Sequence, residues 1–303
     1  MTETVVITGA TSFLGKNVLK RLLDCGYNVY AFVRNKNAVP YREGDNFHII
    51  SGSLDDVERI KHSVKNADYF IHFAWDGSGN KGRADHEIQF KNVGYSMRAL
   101  QIADSLGCKK FIFPGSQAEY GIIKGLITEN SECRPVSEYG KAKLAFSEEA
   151  EKFCENADID FIHLRIFSVY GYGDRSGTLV DLCVRGFNAG EKIQLGPCCQ
   201  LWNYLYINDF ADIILRLLKC SCDGGIYNVA SEDTRILRDY VTEIYKLSNK
   251  SGECLFGETA SNPEGSPNLE PSVKKLTDAI GDISYTSFED GIRSMMNLLK
   301  SEV

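Results

Sequence analysis

Thr4-Val5-Val6-Ile7-Thr8-Gly9-Ala10-Thr11-Ser12-Phe13-Leu14-Gly15 is the stretch that decides the fold. Its first five residues are all β-branched and end at a glycine, which reads as a short buried strand. After the turn, Val18, Leu19, Leu22 and Leu23 recur at helical spacing, and Gly26 marks a stop. A strand, a glycine turn and a helix in that order build an anion site, because backbone N–H groups and the positive end of the helix dipole converge on a pyrophosphate. Gly9 is placed for the tight turn and Gly15 for close packing of helix on strand. Ser12 stands where a middle glycine would give phosphate its closest approach, although its hydroxyl can donate a hydrogen bond. Thr11, Phe13 and Leu14 complete the cofactor loop.

Further strand-like runs follow at 28–33, 47–51, 69–73, 110–114 and 160–166, with helical patterns between most of them. The segment 87–106 carries Ile88, Met97, Leu100 and Ile102. Alternation of this kind predicts an α/β fold, a doubly wound parallel sheet of Rossmann type with helices on both faces. Beyond Gly171 the pattern loosens. Residues 192–206 read as a β-hairpin interrupted by Gly196-Pro197, and residues 257–272 read as a loop. The expected organisation is a dinucleotide-binding domain over 1–168, to which 207–230 returns. A smaller mixed α/β domain for substrate covers 169–206 and 231–303.

A second pattern bears on chemistry. Ser116-Gln117-Ala118-Glu119-Tyr120-Gly121 precedes Tyr139-Gly140-Lys141-Ala142-Lys143. A phenol near pKa 10 is a poor base at neutral pH, and a cation within about 4–6 Å lowers it by roughly 1–3 units. On a helix Tyr139 and Lys143 are i,i+4 neighbours, so the cation is built in beside the phenol. Ser116 can then hydrogen-bond the substrate oxygen that Tyr139 protonates or deprotonates. Tyr-x-x-x-Lys by itself occurs by chance on many helix surfaces; the N-terminal cradle gives it weight.

Composition sets outer limits. The chain has 303 residues, 43% hydrophobic and 25% charged, enough for a sizeable core. No uncharged apolar run approaches the ~18 residues of a membrane span. A net charge of −7 argues against a nucleic-acid surface. Met1-Thr2-Glu3 lacks the basic start and apolar stretch of a signal peptide, so the expected location is the cytoplasm. The ten cysteines show no metal-ligand spacing and are expected to stay thiols there, with no metal bound.

Taken in order, these landmarks resemble the extended short-chain dehydrogenase/reductase family, and within it the nucleotide-sugar epimerases, dehydratases and ketoreductases. The resemblance spans nearly the whole chain and includes Phe70-Ile71-His72-Phe73-Ala74, Asn92, Leu164 to Gly171, Tyr204 to Asp209 and Gly225 to Ala230. It implies Ser116, Tyr139 and Lys143 as catalytic residues, with Lys143 also holding the nicotinamide ribose. Phe73, Ala74, Asn92, Phe167, Tyr139 and Lys143 are implied in cofactor binding. His72 is read as packing.

In dinucleotide folds an acid at the end of the second strand binds the ribose of NAD, whereas an arginine there accommodates the 2′-phosphate of NADP. Val33 stands at the acid's place and Arg34 follows, which favours NADP over NAD. The family's acid at the adenine is replaced by Ser53, leaving Ser53 and Leu54 for that contact. The family's dehydratases carry Asp-Glu directly after the catalytic Ser/Thr. Gln117 and Ala118 stand there, which argues against elimination. What remains is NADPH-dependent reduction of a 4-keto sugar nucleotide, or an NAD-dependent 4-epimerase using the same three residues. A reductase of a non-nucleotide carbonyl and an inactive dinucleotide-binding scaffold stand further back. Gln117, Ser168 and Trp202 are the candidate substrate contacts. Arg175, Arg185, Arg235 and Arg238 are candidates for a diphosphate. The resemblance also implies a homodimer that pairs 87–106 and 139–153 across a four-helix interface.

Overall fold

The computed structural model describes residues 2–79, 81–248, 252–258 and 268–301. In chain order its first half runs β1 (Thr4–Thr8), α1 (Phe13–Asp24), β2 (Asn28–Val33), β3 (Phe47–Ser51), α2 (Arg59–Ser63), β4 (Tyr69–His72), α3 (His86–Ser105), β5 (Lys110–Pro114), α4 (Glu138–Cys154) and β6 (Asp160–Ile166). The second half runs β7 (Ser168–Tyr170), α5 (Leu179–Asn188), β8 (Lys192–Leu195), β9 (Leu201–Tyr206), α6 (Ile207–Lys219), β10 (Gly225–Val229), β11 (Thr234–Ile236), α7 (Leu237–Leu247), β12 (Glu253–Phe256), α8 (Lys274–Ile280) and α9 (Phe288–Lys300).

Seven strands form the main sheet in the order β10-β6-β5-β4-β1-β2-β3. The pairs from β3 to β6 are all parallel, with Thr8 opposite Phe32 on one side and His72 on the other. This is the doubly wound arrangement, and the strand order reverses between β1 and β4, where such sheets open a crevice at their carboxyl ends. Val5, Val6, Ile7 and Thr8 are fully buried, as a central strand covered on both faces requires. On one face Phe70, Phe111, Phe113 and Phe161 meet Leu100 of α3 and Ala142, Phe146 and Ala150 of α4. The four-residue spacing of that α4 stripe, with Ser137 capping Gly140 N–H, makes the segment an amphipathic helix. Fully burying each Phe contributes about 1.5–3 kcal/mol.

The chain divides into two compact units. The first comprises Met1–Gly121, Glu132–Ile166 and Ala211–Tyr227, and the second Ile122–Ser131, Phe167–Phe210 and Asn228–Val303. Within the second, β7 pairs parallel with β9, β9 antiparallel with β11, and β8 parallel with β12. No hairpin over 192–206 exists, which corrects the sequence reading. Leu237 and Arg238, opening α7, donate their N–H groups to Gln200 and Cys198 carbonyls, so the segment between β8 and β9 serves that helix end instead of a tight turn. The loop read over 257–272 falls mostly outside the described residues.

A second correction concerns the thiols. Cys220 and Cys222 form a disulfide, their Cα atoms 5.2 Å apart just after α6, while the other eight cysteines keep their thiols. Among the described residues no helix is long and apolar enough to cross a membrane.

Candidate active site

The cradle between β1 and α1 is built on two positions that admit only glycine. Gly9 has φ +67°, and a Cβ there would lie 2.6 Å from Ala74 N, at the end of β4. A Cβ on Gly15 would strike the Gly9 carbonyl oxygen. Ser12 is the N-cap of α1 and accepts from Gly15 N–H at 3.0 Å, which leaves its hydroxyl hydrogen for a ligand. Thr11 and Ser12 are exposed and Phe13 and Leu14 half-buried. Beneath them a buried chain of hydrogen bonds fixes the turn. Ala74 N–H donates to Thr8 Oγ1 (3.2 Å), which is 2.8 Å from His72 Nδ1, and His72 Nε2 is 3.1 Å from Ser96 Oγ. Burial holds His72 neutral, its pKa lowered to about 3. Phe73 is buried beside it.

Arg34 lies at the end of β2 with its side chain 74% exposed, and its guanidinium is 3.1 Å from the Asp76 carboxylate. The Ser53 N–H and hydroxyl both donate to Asp56, at 3.0 and 2.9 Å, and Leu54 is buried. Asn92 gives both amide hydrogens to the carbonyls of Asp76 and Ile88 and accepts from Asp76 N–H. It therefore works within the chain, holding the segment that follows β4.

The catalytic candidates converge at the ends of β5 and α4. Ser116 caps the short turn Gln117–Glu119, where its Oγ accepts from Ala118 N–H at 3.2 Å. Gln117 is half-buried in that turn. Glu119 is fully buried. One of its oxygens accepts from Ser116 N–H at 2.7 Å, and the other meets His163 Nε2 (2.8 Å) and Arg165 Nε (3.0 Å). Burial alone would raise this carboxyl, but His163, Arg165 and the Ser116 N–H outweigh it and hold the pKa below its ordinary value. Tyr139 lies in the first turn of α4, where the Ser116 side chain acts to lower the pKa of its phenol. One turn on, Lys143 is buried and donates to the Pro114 carbonyl at 2.8 Å. Its ammonium lies 3.6 Å from the Trp75 ring centroid, 4.3 Å from that of Phe113 and 5.6 Å from that of Tyr139.

The electrostatics correct one expectation. The Tyr139 pKa is raised, where a lowered one was expected. Burial raises the Tyr139 pKa above its ordinary value; the Arg83 guanidinium, 4.0 Å from the ring centroid, lowers it, and Glu119 raises it further. Lys143 is itself pushed well below a normal lysine by burial. Its ammonium is directed to Pro114 and the indole face instead of the phenol. Sequence reasoning missed Trp75, Arg83, Glu119, His163 and Arg165. Ser116-x-x-Glu119 has capping-box spacing, a signal that could have found the acid. Nothing periodic marks Trp75 or Arg83.

The second unit holds the remaining candidates. Phe167 is buried and donates its N–H to the Val229 carbonyl. Ser168 pairs with Tyr204, and Trp202 with Arg235. The buried indole N–H of Trp202 has no hydrogen-bond partner among the described residues. Of the four arginines proposed for a diphosphate, Arg185 is paired with Asp181 (2.7 Å) and Arg235 with Asp233 (3.1 Å) and Glu243. Arg238 donates to the Pro197 carbonyl.

A family model described as the NAD dependent epimerase/dehydratase family matches residues 5–230. The chain is 26% identical to the CDP-abequose synthase of Salmonella muenchen over 97% of each chain. It is also 26% identical to the dTDP-6-deoxy-L-talose 4-dehydrogenase (NAD(+)) of Aggregatibacter actinomycetemcomitans, over 81% of this chain and 90% of the other. Among solved structures, the UDP-N-acetylglucosamine 4-epimerase from Methanobrevibacter ruminantium M1, in complex with UDP-N-acetylmuramic acid, matches with a TM-score of 0.88 at 21% identity over 100% of both chains.

Proposed function

The chain belongs to the NAD dependent epimerase/dehydratase family, enzymes of the extended short-chain dehydrogenase/reductase type, and on that premise we propose that it reduces a 4-keto sugar nucleotide, with NADPH as reductant and Tyr139 as general acid. The observation that carries the reading is Tyr139 and the buried Lys143 one turn apart on α4, with Ser116 held by Glu119 just after β5, in a site where Gln117 and Ala118 offer no acid or base for elimination. One relative supports redox chemistry at position 4 of a nucleotide-linked deoxysugar by its name, dTDP-6-deoxy-L-talose 4-dehydrogenase (NAD(+)), though that name gives NAD(+) and not NADP as the dinucleotide.

The dinucleotide fits the residues present. The turn from Gly9 to Gly15, with Thr11 and Ser12 exposed at the positive end of α1, suits its pyrophosphate. When bound, the nicotinamide supplies the hydride. Tyr139 gives its hydroxyl proton to the substrate's carbonyl oxygen, and Ser116 donates a hydrogen bond to the same oxygen as charge develops there. Lys143 is fixed on the Pro114 carbonyl, its ammonium 5.6 Å from the Tyr139 ring centroid. Glu119 holds the Ser116 backbone and so aims its hydroxyl.

One observation favours a second reading, a 4-epimerase with NAD: Arg34 is already paired with Asp76. That pair is exposed, and such pairs are worth only about 0–1 kcal/mol, so a 2′-phosphate competes for the guanidinium at little cost. The reductase reading therefore stands first. Sugar-nucleotide recognition is assigned to Gln117, Ser168 and Trp202, the assembly to a homodimer through α3 and α4, and the location to the cytoplasm. A panel of UDP-, dTDP-, CDP- and GDP-linked 4-keto sugars and 4-hydroxy sugars, assayed with each dinucleotide, tests the function. Net consumption of NADPH with a 4-keto sugar is the expected result. Interconversion of 4-epimers with no net change in dinucleotide would replace it.

A further inference from the structure

Tyr139 has a second cation above it. Arg83 lies on a short turn, Gly82–Ala84, that opens onto α3, and its guanidinium carbon sits 4.0 Å from the Tyr139 ring centroid. The turn is clamped from below by Gln89, which is fully buried. The Gln89 amide donates to the carbonyls of Gly77 (3.0 Å) and Gly82 (2.8 Å), and its oxygen accepts from Trp75 Nε1 (2.8 Å). Gly82 lies so close to Gly77 that a Cβ on it would come within 2.5 Å of the Gly77 Cα. One buried amide thus fixes both groups that flank the phenol: the Trp75 ring, edge-on at 6.1 Å, and the turn that carries Arg83. Among the described residues Arg83 forms no ion pair with a carboxylate, so its charge is not spent elsewhere.

We propose that Arg83 is a positioning residue for Tyr139: its guanidinium, carried on the turn that Gln89 fixes, stabilises the phenolate left after proton transfer. This rests on the reading of Tyr139 as the acid. During reduction the O–H bond of Tyr139 breaks, its proton goes to the substrate oxygen, and one negative charge remains on the phenol. Three charged groups face it. Glu119, buried below, opposes that charge. Lys143 lies farther from the ring centroid, at 5.6 Å, and burial pushes its pKa well below that of an ordinary lysine. Arg83 stands closer, and a guanidinium does not deprotonate in proteins. Neighbouring Glu138 is engaged by His86 and Lys141 at the surface. Arg83 is thus the constant cation at the phenol. An Arg83 that only filled space would leave the phenol's titration unmoved when replaced by an uncharged side chain of its length.

The test uses the full chain without any sugar nucleotide, so it does not depend on which substrate is correct. Protein labelled with 13Cζ-tyrosine is titrated by NMR, with Tyr139→Phe assigning the resonance and thermal melting reporting the fold. In Arg83→Gln the Tyr139 midpoint is expected to move upward by about one pH unit or more, the reach of a charge at this distance. Arg83→Lys is expected to restore part of the shift. Arg83→Met, matched in length, replaces the Gln variant if that one does not fold. An unchanged Tyr139 midpoint in a folded, uncharged variant overturns the proposal. With a substrate in hand, the alkaline limb of the reduction rate should move up with the NMR midpoint.

Discussion

The two units solve different problems with different side chains. In the first, the functional groups hang on buried polar chains: Thr8–His72–Ser96 under the glycine turn, and Ser116–Glu119–His163/Arg165 under the catalytic turn. The second packs rings. Tyr170, Tyr204, Tyr240 and Phe288 lie with centroids 4.7–5.8 Å apart, joined by the Arg235 guanidinium over Tyr240. Buried polar chains have few alternative arrangements, because each broken bond leaves an unsatisfied group. They suit proton transfer, which needs fixed geometry. Ring surfaces tolerate shifts and suit recognition by area and shape.

Substitutions can break this contrast, beginning with the largest effect. Tyr139→Phe removes one hydroxyl from the polar side and should lower turnover by roughly 10²–10⁴-fold, the usual contribution of a positioned acid. Dinucleotide binding, read by fluorescence or calorimetry, should stay near normal because the ring still packs. Near-normal turnover would remove the mechanism. Glu119→Gln should follow at about 3–5 kcal/mol of unfolding free energy, since it leaves Arg165 buried without its carboxylate. Urea denaturation should show a lower midpoint with an unchanged slope, and a loss under 1 kcal/mol would show that the ionic cluster is dispensable.

Smaller effects sharpen the contrast. Arg34→Asp should weaken NADPH by about 1.5–3 kcal/mol, roughly 10- to 100-fold, and NADH far less. Equal losses for both would assign the ribose site elsewhere. On the aromatic side, Trp202→Leu should raise KM for the sugar nucleotide by about 0.5–1.5 kcal/mol while kcat stays level, as the loss of a stacking surface does. A fall in kcat at constant KM would contradict a binding role for that ring.

The same contrast governs what the sequence made readable. Strands β1, β2, β3, β5 and β6 have the bounds read from their apolar runs; β1, β5 and β6 are buried along nearly their whole length, whereas β3 is a half-buried edge strand. The caps Asp85 and Ser137 of α3 and α4 were not read from the sequence. Helix α3 showed itself by the spacing of its apolar residues. The second unit did not, since β8 finds its neighbour in β12 and β9 lies between β7 and β11, pairings that no local pattern encodes. Within the site, Ser116, Tyr139 and Lys143 were legible because a helical repeat and a short turn bring them together. Arg83 reaches Tyr139 through an aperiodic turn held by a buried glutamine. Such contacts are set by tertiary packing alone. The direction of the Tyr139 shift was illegible for a related reason: it depends on how deeply the phenol and the Lys143 ammonium are buried.

The place of β10 has a consequence for how the chain is made. Strand β6, buried along all but its first residue, gains its second neighbour only from Gly225–Val229. Everything from Phe167 to Gly224 must leave the ribosome first, which takes a few seconds at roughly 5–20 residues per second. Through that interval a nascent chain carries an open apolar edge of unpaired backbone groups, a template for pairing with another nascent chain on the same message. Polysomes therefore meet this protein at its most adhesive moment, and chaperone demand should peak between synthesis of β6 and arrival of β10.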